Sequence, residues 1–331
     1  MPHRRLTVSF GLSLLCRSMH GLSAFPSSNA RAFLEVVRSN NDAASSAKNA
    51  RRFVVGGEVV GRVLEKSVNV LSRHLDVFSV SDDAVTLRAE AGASSRERTT
   101  SISRVINSLR AEGTVPMLNG WRDEQFAIRH SFFSPTLFTV ERAAAGLFGC
   151  PAYGVFVVGY VADDASTGIP SRVWVGRRSP TKQTWPGLLD CLAAGGMAAG
   201  SMPLEAARKE AAEEAGISDD LASNIRPSGG VCYTGLDETG WALKRDVLYT
   251  FDLRCPADFV PVCTDGEVAS FECMPVDDLV RLILRHANDE VQFKPNVAVV
   301  FIDFLMRHGF VSPDEDGYLE LLAELRGAEC R

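Results

Sequence analysis

The segment that most constrains this chain is Ala194–Ile217, AGGMAAGSMPLEAARKEAAEEAGI, a glycine-rich loop running into a short helical pattern that ends on clustered carboxylates. Glu210, Glu213 and Glu214 stand at i, i+3 and i+4, a spacing that stacks side chains on one helical face with Cβ atoms about 5–6 Å apart. Leu204, Ala207, Ala211 and Ala215 recur on the opposite face, so the helix is amphipathic and can pack on a core. Gly216 is placed to end it. The placement argues against a merely solvated acidic face. Like charges at i and i+4 cost about 0.2–0.5 kcal/mol, and carboxylates in a last turn oppose the macrodipole by about 0.3–1 kcal/mol. Only Glu213 has an obvious helical partner, Lys209 at i−4. A bound divalent cation converts the repulsive cluster into a ligand set.

At 331 residues the chain is long for one compact unit, so two domains behind a leader are expected. The 46% hydrophobic and 23% charged fractions describe a soluble globular protein, and a net charge of −6 supplies no electrostatic reason for a nucleic-acid or membrane partner. Eight cysteines are scattered with no CxxC pair, which signals neither a zinc site nor a disulfide framework and favours reduced thiols. Residues 1–34 contain no Asp or Glu but carry Arg4, Arg5, Arg17 and Arg31, the composition of a transit peptide. Residues 1–50 are therefore expected to be leader and linker, addressed to the mitochondrion, with the plastid or a cytoplasmic location as alternatives.

Beyond the leader, residues 51–150 read as a small α+β domain. Two β-branched runs flank Gly56 and Gly57 as a hairpin over Phe53–Val63, and Ser101–Glu112 repeats apolar residues at helical spacing up to Gly113. The stretch GWRDEQFAI, Gly120–Ile128, follows, and pattern alone assigns it no chemistry. Residues 151–331 alternate strands (Tyr153–Val161, Arg172–Gly176, Val231–Tyr233, Lys244–Leu253, Phe271–Met274) with helices (Val276–Arg285, Val297–His308, Gly317–Arg326), which fits an α/β/α sandwich. A basic loop, RRSPTKQTWPGLLD, leads into the glycine-rich segment.

Gly195, Glu210, Ala211, Glu213, Glu214, Gly216 and Ile217 fall on the pattern G-x5-E-x7-R-E-U-x-E-E-x-G-U, with U aliphatic, so the segment resembles a Nudix box. Ser201 stands where the pattern has its first Glu, and Lys209 where it has Arg. GRRSPTKQTWPGLLD, KRDVLY, DGEVASFE and FLMRHGF, together with GWRDE and FTVERAAAGLFG, resemble the thiamin pyrophosphokinase-related branch of the Nudix hydrolases, which has an extra N-terminal domain. In that branch the position of Ser201 is commonly not acidic and Lys at the position of Lys209 is usual. The resemblance spans roughly residues 52–326. It implies a Nudix-type α/β/α sandwich with a mixed sheet, preceded by the small α+β domain, and a substrate that is a thiamin diphosphate-like compound in oxidised or damaged form.

The residues themselves support divalent-metal diphosphate chemistry. Glu210 and Glu214 are expected as Mg²⁺ ligands, with Mn²⁺ as an alternative ion, and Glu213 as a further ligand or the group that orients water. A backbone carbonyl near Gly195 is expected to complete the shell, since a glycine-rich loop lets backbone approach an ion. Lys209 is expected to hold the carboxylates in place. Glu267 is the candidate additional carboxylate, as base or outer ligand. Arg177, Arg178, Lys182, Lys244 and Arg245 are candidate phosphate ligands, and Trp185 is a candidate stacking surface for a planar heterocycle. The expected partner is a small-molecule diphosphate, and a helix-rich flank is available for a homodimer contact.

Three rival readings stand beside this one. The same fold hydrolyses nucleoside diphosphate derivatives. TWPG at Thr184–Gly187 is shared with Nudix-like isopentenyl diphosphate isomerases, although Cys191 comes earlier than their catalytic Cys and no adjacent metal-binding His is present. Ser201 also leaves open a module that binds a ligand without turning it over.

Overall fold

The expected α+β hairpin unit is present at the start of the folded chain, but it is not where the fold begins. The structure, a computed structural model, describes residues 29–288 and 290–327; the charge and apolar pattern of residues 1–28 lies outside them. Two helices come first, α1 (Asn29–Asn40) and α2 (Ala44–Asn49). The expectation of leader and linker over residues 1–50 therefore needs correction from Asn29 onward. Phe33, Leu34, Val36 and Val37 recur at helical spacing and are buried in the core of the second domain. Arg31 pairs with Asp316 at 2.8 Å, and Asn41 donates to the carbonyl of Glu324.

A four-stranded mixed sheet follows, built from β1 (Arg51–Val55), β2 (Glu58–Val63), β3 (Phe78–Val80) and β4 (Ala84–Leu87) in the order β2-β1-β4-β3, with α3 (Glu65–Leu71) between the hairpin and β3. Gly56 and Gly57, at φ 60° and 88°, make the tight turn that joins β1 to β2. Helix α4 (Ser95–Glu112) starts six residues before the sequence expectation. Ser94 accepts from the Glu97 amide while the Glu97 side chain reaches back to the Ser94 N–H, a capping box that apolar periodicity does not register. A hairpin of β5 (Gln125–Ile128) and β6 (Phe138–Glu141), absent from the sequence reading, then leads through α5 (Arg142–Ala145). Phe53, Phe78, Phe138 and Phe148 centre this domain's core, with Phe53 and Phe148 stacked at 4.8 Å.

The second sheet holds β7 (Pro151–Val161), β8 (Arg172–Arg178), β9 (Leu189–Asp190), β10 (Ala193–Gly196), β11 (Arg226–Leu236), β12 (Leu243–Arg254) and β13 (Val268–Pro275). Its path is β11-β12-β7-β8-β13, with β10 paired to β7 and β9 to β8; β12 and β7 are parallel, the other pairs antiparallel. Alternation along β7 sends Val155 and Val157 to one face and Phe156 and Val158 to the other. The first face packs α6 (Pro203–Ala215) and α7 (Asp219–Ala222); the second packs α1, α8 (Val276–His286), α9 (Pro295–Arg307) and α10 (Tyr318–Glu324). This is the expected α/β/α sandwich, with α1 as a layer member drawn from upstream. Cys150, Cys191, Cys255, Cys263 and Cys273 are free thiols, whereas Cys232 is disulfide-bonded, against the expectation of reduced thiols throughout.

Phe33 is fully buried, so Phe33→Ala is expected to cost about 3–5 kcal/mol. Phe133→Ala, at an 81% exposed position, is expected to stay within about 0.5 kcal/mol of wild type. Urea unfolding of the two variants checks this, and equal stabilities would show that α1 is dispensable.

Candidate metal centre and diphosphate site

The site forms where α6 crosses β10. Strand β10 pairs antiparallel with β7, Gly195 opposite Val155, and presents its backbone to the helix. A Cβ at Gly195 would lie 2.5 Å from both carboxylate oxygens of Glu210, so only glycine lets that carboxylate rest on the strand. One turn on, Glu214 accepts the Ala194 N–H at 2.8 Å. The helix opens on Pro203 in its first turn and ends at left-handed Gly216, φ 63°, whose N–H bonds the carbonyls of Ala211 and Ala212. The incoming loop to β13 completes the helix end. Val262 N–H donates to the Ala215 carbonyl at 3.0 Å, and the Thr264 hydroxyl donates to that of Glu213. The same loop delivers Asp265 and Glu267, whose carboxylate oxygens lie with that of Glu214 within 4.8 Å of one another.

The electrostatics follow from this geometry. Burial pushes Glu214 well above the usual carboxylate range, and the nearby charge of Asp190 adds to the rise against the opposing Ala194 hydrogen bond. Glu210 is raised by burial too, opposed by Lys209. Burial also raises Glu267, but its hydrogen bond and charge contact with Lys182 prevail and leave it below the ordinary value. Desolvated, mutually repelling carboxylates of this kind are costly alone and favourable around a hard cation. The donors are all carboxylate oxygens, the chemistry of Mg²⁺, Mn²⁺ or Ca²⁺ rather than of a thiolate or imidazole metal. A divalent cation therefore fits the residues present.

The sequence-designated residues separate into distinct environments. Glu210 and Glu214 meet at β10 as expected. Glu213 does not join them: adjacent helix positions lie about 100° apart, so with Glu214 turned to the sheet Glu213 points along the solvent edge, half exposed and paired with Lys209 at 2.6 Å. Lys209 also stands 4.0 Å from Glu210, in keeping with a positioning role. Arg178 is removed from the candidate phosphate ligands. Its guanidinium is buried and engaged at each nitrogen, pairing with Asp190 at 2.7 Å and donating to the carbonyls of Trp185 and Thr184. It holds the TWPG turn in place. Arg245 is also redirected, donating to the Gly149 carbonyl. Lys182 pairs with Glu267. Arg177 is exposed and donates to the Gly187 carbonyl. Trp185 occupies a left-handed backbone conformation, φ 54°, with the Lys244 ammonium 5.5 Å from its ring centre.

Four site residues were not singled out from sequence. Asp265 lies in the quoted DGEVASFE, where its spacing of two from Glu267 was the available signal. Asp190, whose charge acts on Glu214, is held by Arg178 and by Lys294 at 3.6 Å. Arg122 and Glu124 come from GWRDE in the first domain. Glu124 pairs with Arg142 at 2.8 Å, and the Arg142 guanidinium would lie 3.0 Å from a Cβ at Gly196. The Ala199 N–H donates to the Gln125 carbonyl, joining β5 to the loop before α6. No sequence spacing reveals such contacts between domains.

A family model described as "NUDIX domain" matches residues 154–297, and one described as "Domain of unknown function (DUF4743)" matches residues 32–152. The chain is 36% identical over 319 residues to Nudix hydrolase 20, chloroplastic, of Arabidopsis thaliana, covering 94% of this chain and 82% of that protein. It is 37% identical over 306 residues to Nudix hydrolase 24, chloroplastic, of the same plant, covering 92% and 80% respectively. An uncharacterized protein of Saccharomyces cerevisiae is 32% identical over 284 residues, 81% of this chain and 80% of its own length. The relatives and the fold define a pyrophosphohydrolase, and its carboxylate cluster is compatible with a divalent cation. The chain belongs to the Nudix hydrolase family.

Cys191, in the stretch that follows the TWPG turn, is 1% exposed, and burial raises its thiol above the ordinary value. Among the described residues no helix is long and apolar enough to cross a membrane.

A carboxylate raised on folding binds its proton more tightly in the folded state, so its contribution to stability falls as pH climbs from the unfolded value of 4.5 through the folded one. Cation-free protein is therefore expected to lose thermal stability as the pH rises above the ordinary carboxylate range. Saturating Mg²⁺ should restore it, because the cation binds only the folded state. Glu214→Gln should flatten the pH slope, remove the Mg²⁺ effect and lower kcat/KM by about 10²-fold or more. Melting curves across pH with chelator or Mg²⁺ check the first two effects, and an unchanged Mg²⁺ response in the variant would place the cation elsewhere.

Proposed function

We propose that this protein is a Mg²⁺-dependent hydrolase of a thiamin diphosphate-like compound, an oxidised or damaged form, that releases inorganic phosphate and leaves the monophosphate. The observation that carries the chemistry is the carboxylate set at β10: Glu210 and Glu214 rest on its backbone, and Asp265 and Glu267 cluster with Glu214. The organic half of the substrate rests on the likeness of GRRSPTKQTWPGLLD, KRDVLY and the GWRDE region to the thiamin-related branch. A nucleoside diphosphate derivative is the second reading, favoured by the family to which the chain belongs.

In this mechanism Glu210, Glu214 and Asp265 hold the cation, and the Gly195 backbone stands beside them. When bound, Mg²⁺ neutralises diphosphate oxygens and makes water more acidic. Glu267, at the edge of the cluster and lowered by Lys182, takes the proton of the attacking water. Lys182 then holds the carboxyl in position and offers charge toward the departing phosphate. Glu213 acts indirectly, through Lys209 and the helix end, rather than as the base. Lys244 and Trp185 form one wall against a planar cationic or aromatic ring. Water adds to one phosphorus, the bridging P–O bond breaks, and the monophosphate and phosphate leave.

The names of the two plant relatives favour a plastid address over the mitochondrial one expected from composition. Any leader removed on import should end before Asn29, because α1 belongs to the core.

Phosphate release from oxidised thiamin diphosphates, measured beside nucleoside diphosphates and ADP-ribose, tests the assignment. The expected result is a kcat/KM at least tenfold higher for the thiamin compounds, with loss in Glu267→Gln. A preference for a nucleotide would overturn the thiamin reading and leave the site chemistry in place.

A further inference from the structure

Pattern assigns GWRDE no chemistry, yet the turn is tied down by several contacts of its own side chains and backbone. The Trp121 indole N–H donates to Asp123 at 2.8 Å, and Arg110 lies 4.1 Å over the Trp121 ring. Asp123 adopts a left-handed conformation, φ 59°, a strained geometry for a residue other than glycine. Between them, the Arg122 N–H donates at 3.0 Å to Glu141, whose side chain is buried at the junction of β6 and α5. These contacts fix the direction in which the Arg122 side chain leaves the first domain.

Its destination is the catalytic domain. Arg122 Nη2 donates to Thr184 Oγ1 at 3.3 Å, in the TWPG turn that Arg178 holds from the other side. Among the described residues the half-buried guanidinium makes no ion pair. Its neighbours around the site are otherwise neutralised: Arg142 by Glu124, Arg178 by Asp190, Lys182 by Glu267 and Lys209 by Glu213. Arg177, likewise without a carboxylate partner among the described residues, is exposed to water. Burial and the charges of Arg142 and Arg178 hold Arg122 below its ordinary pKa, against the opposing charges of Glu124 and Glu267. A desolvated guanidinium crowded by two others is unfavourable until an anion arrives.

We infer that Arg122, supplied by the N-terminal domain and fixed by the Trp121–Asp123 turn, binds the terminal phosphate of the diphosphate substrate. A guanidinium fork suits a phosphate better than an ammonium does, because it presents paired donors in one plane. The active site is thereby shared between the domains, and the first domain has a chemical role. The inference rests on the diphosphate chemistry proposed above but not on the identity of the organic group.

Calorimetric binding of imidodiphosphate, which has no organic group, in excess Mg²⁺ tests it. Arg122→Gln is expected to raise Kd at least tenfold, Arg122→Lys to fall between wild type and Arg122→Gln, and Arg281→Gln, at an exposed pair with Asp278 on α8, to stay within about twofold of wild type. Melting temperatures verify that each variant is folded, and Arg122→Lys serves if Arg122→Gln is not. Wild-type affinity in a folded Arg122→Gln or Arg122→Lys, or no binding by wild type, overturns the inference. A substrate that proves to be a nucleotide leaves this measurement unaffected.

Discussion

The contact between the Glu210 and Glu214 carboxylates and the backbone of β10 is the interaction on which the other features of this protein depend. It brings two negative charges onto a strand in partly dry surroundings, and each element nearby makes that arrangement tolerable. Gly195 has no side chain to obstruct Glu210, and the Ala194 N–H meets Glu214. The apolar face of α6, with Ala207, Ala211 and Ala215 fully buried, holds the helix close enough for both contacts. Small side chains are suited to that approach, and larger ones would lift the carboxylates away from the strand.

The loop before β13 links helix stability to chemistry. By bonding the last carbonyls of α6 it satisfies groups that a helix end leaves open, and the same few residues carry Asp265 and Glu267 to the cluster. The TWPG turn is coupled in a similar manner: the buried Arg178–Asp190 pair anchors it, and Asp190 raises Glu214. Removing one partner of such a pair leaves an unpaired buried charge, which costs about 3–5 kcal/mol. Structural and catalytic charges thus form one network, extended by the first domain through Arg122, Glu124 and Arg142.

Much of this was legible in the sequence where the determinants are local. The carboxylate spacing on α6, the Gly56–Gly57 turn and the apolar runs of β7 and β12 each signal themselves within a few residues. Glu213 lies apart from Glu214 because the i, i+3, i+4 rule groups side chains about 100° apart, and only the sheet decides which of them faces inward. Arg178 looked available because a sequence does not show that Asp190, twelve residues later, sits against it. The α1 helix was hidden because its first half falls in the basic, acid-free residues 1–34, and such a stretch resembles an address whether or not its apolar stripe finds a core. Arg122 could be noticed as part of GWRDE, but its function depends on a contact 62 positions away.

The central claim is that the cation binds the cluster at β10 and not the outer edge of the helix. Anomalous diffraction from crystals soaked in Mn²⁺ tests it most directly. The account predicts a peak in bonding distance of Glu214 and of at least one of Glu210, Asp265 and Glu267. A peak bound to Glu213 alone, or none at Mn²⁺ concentrations that saturate activity, would contradict it.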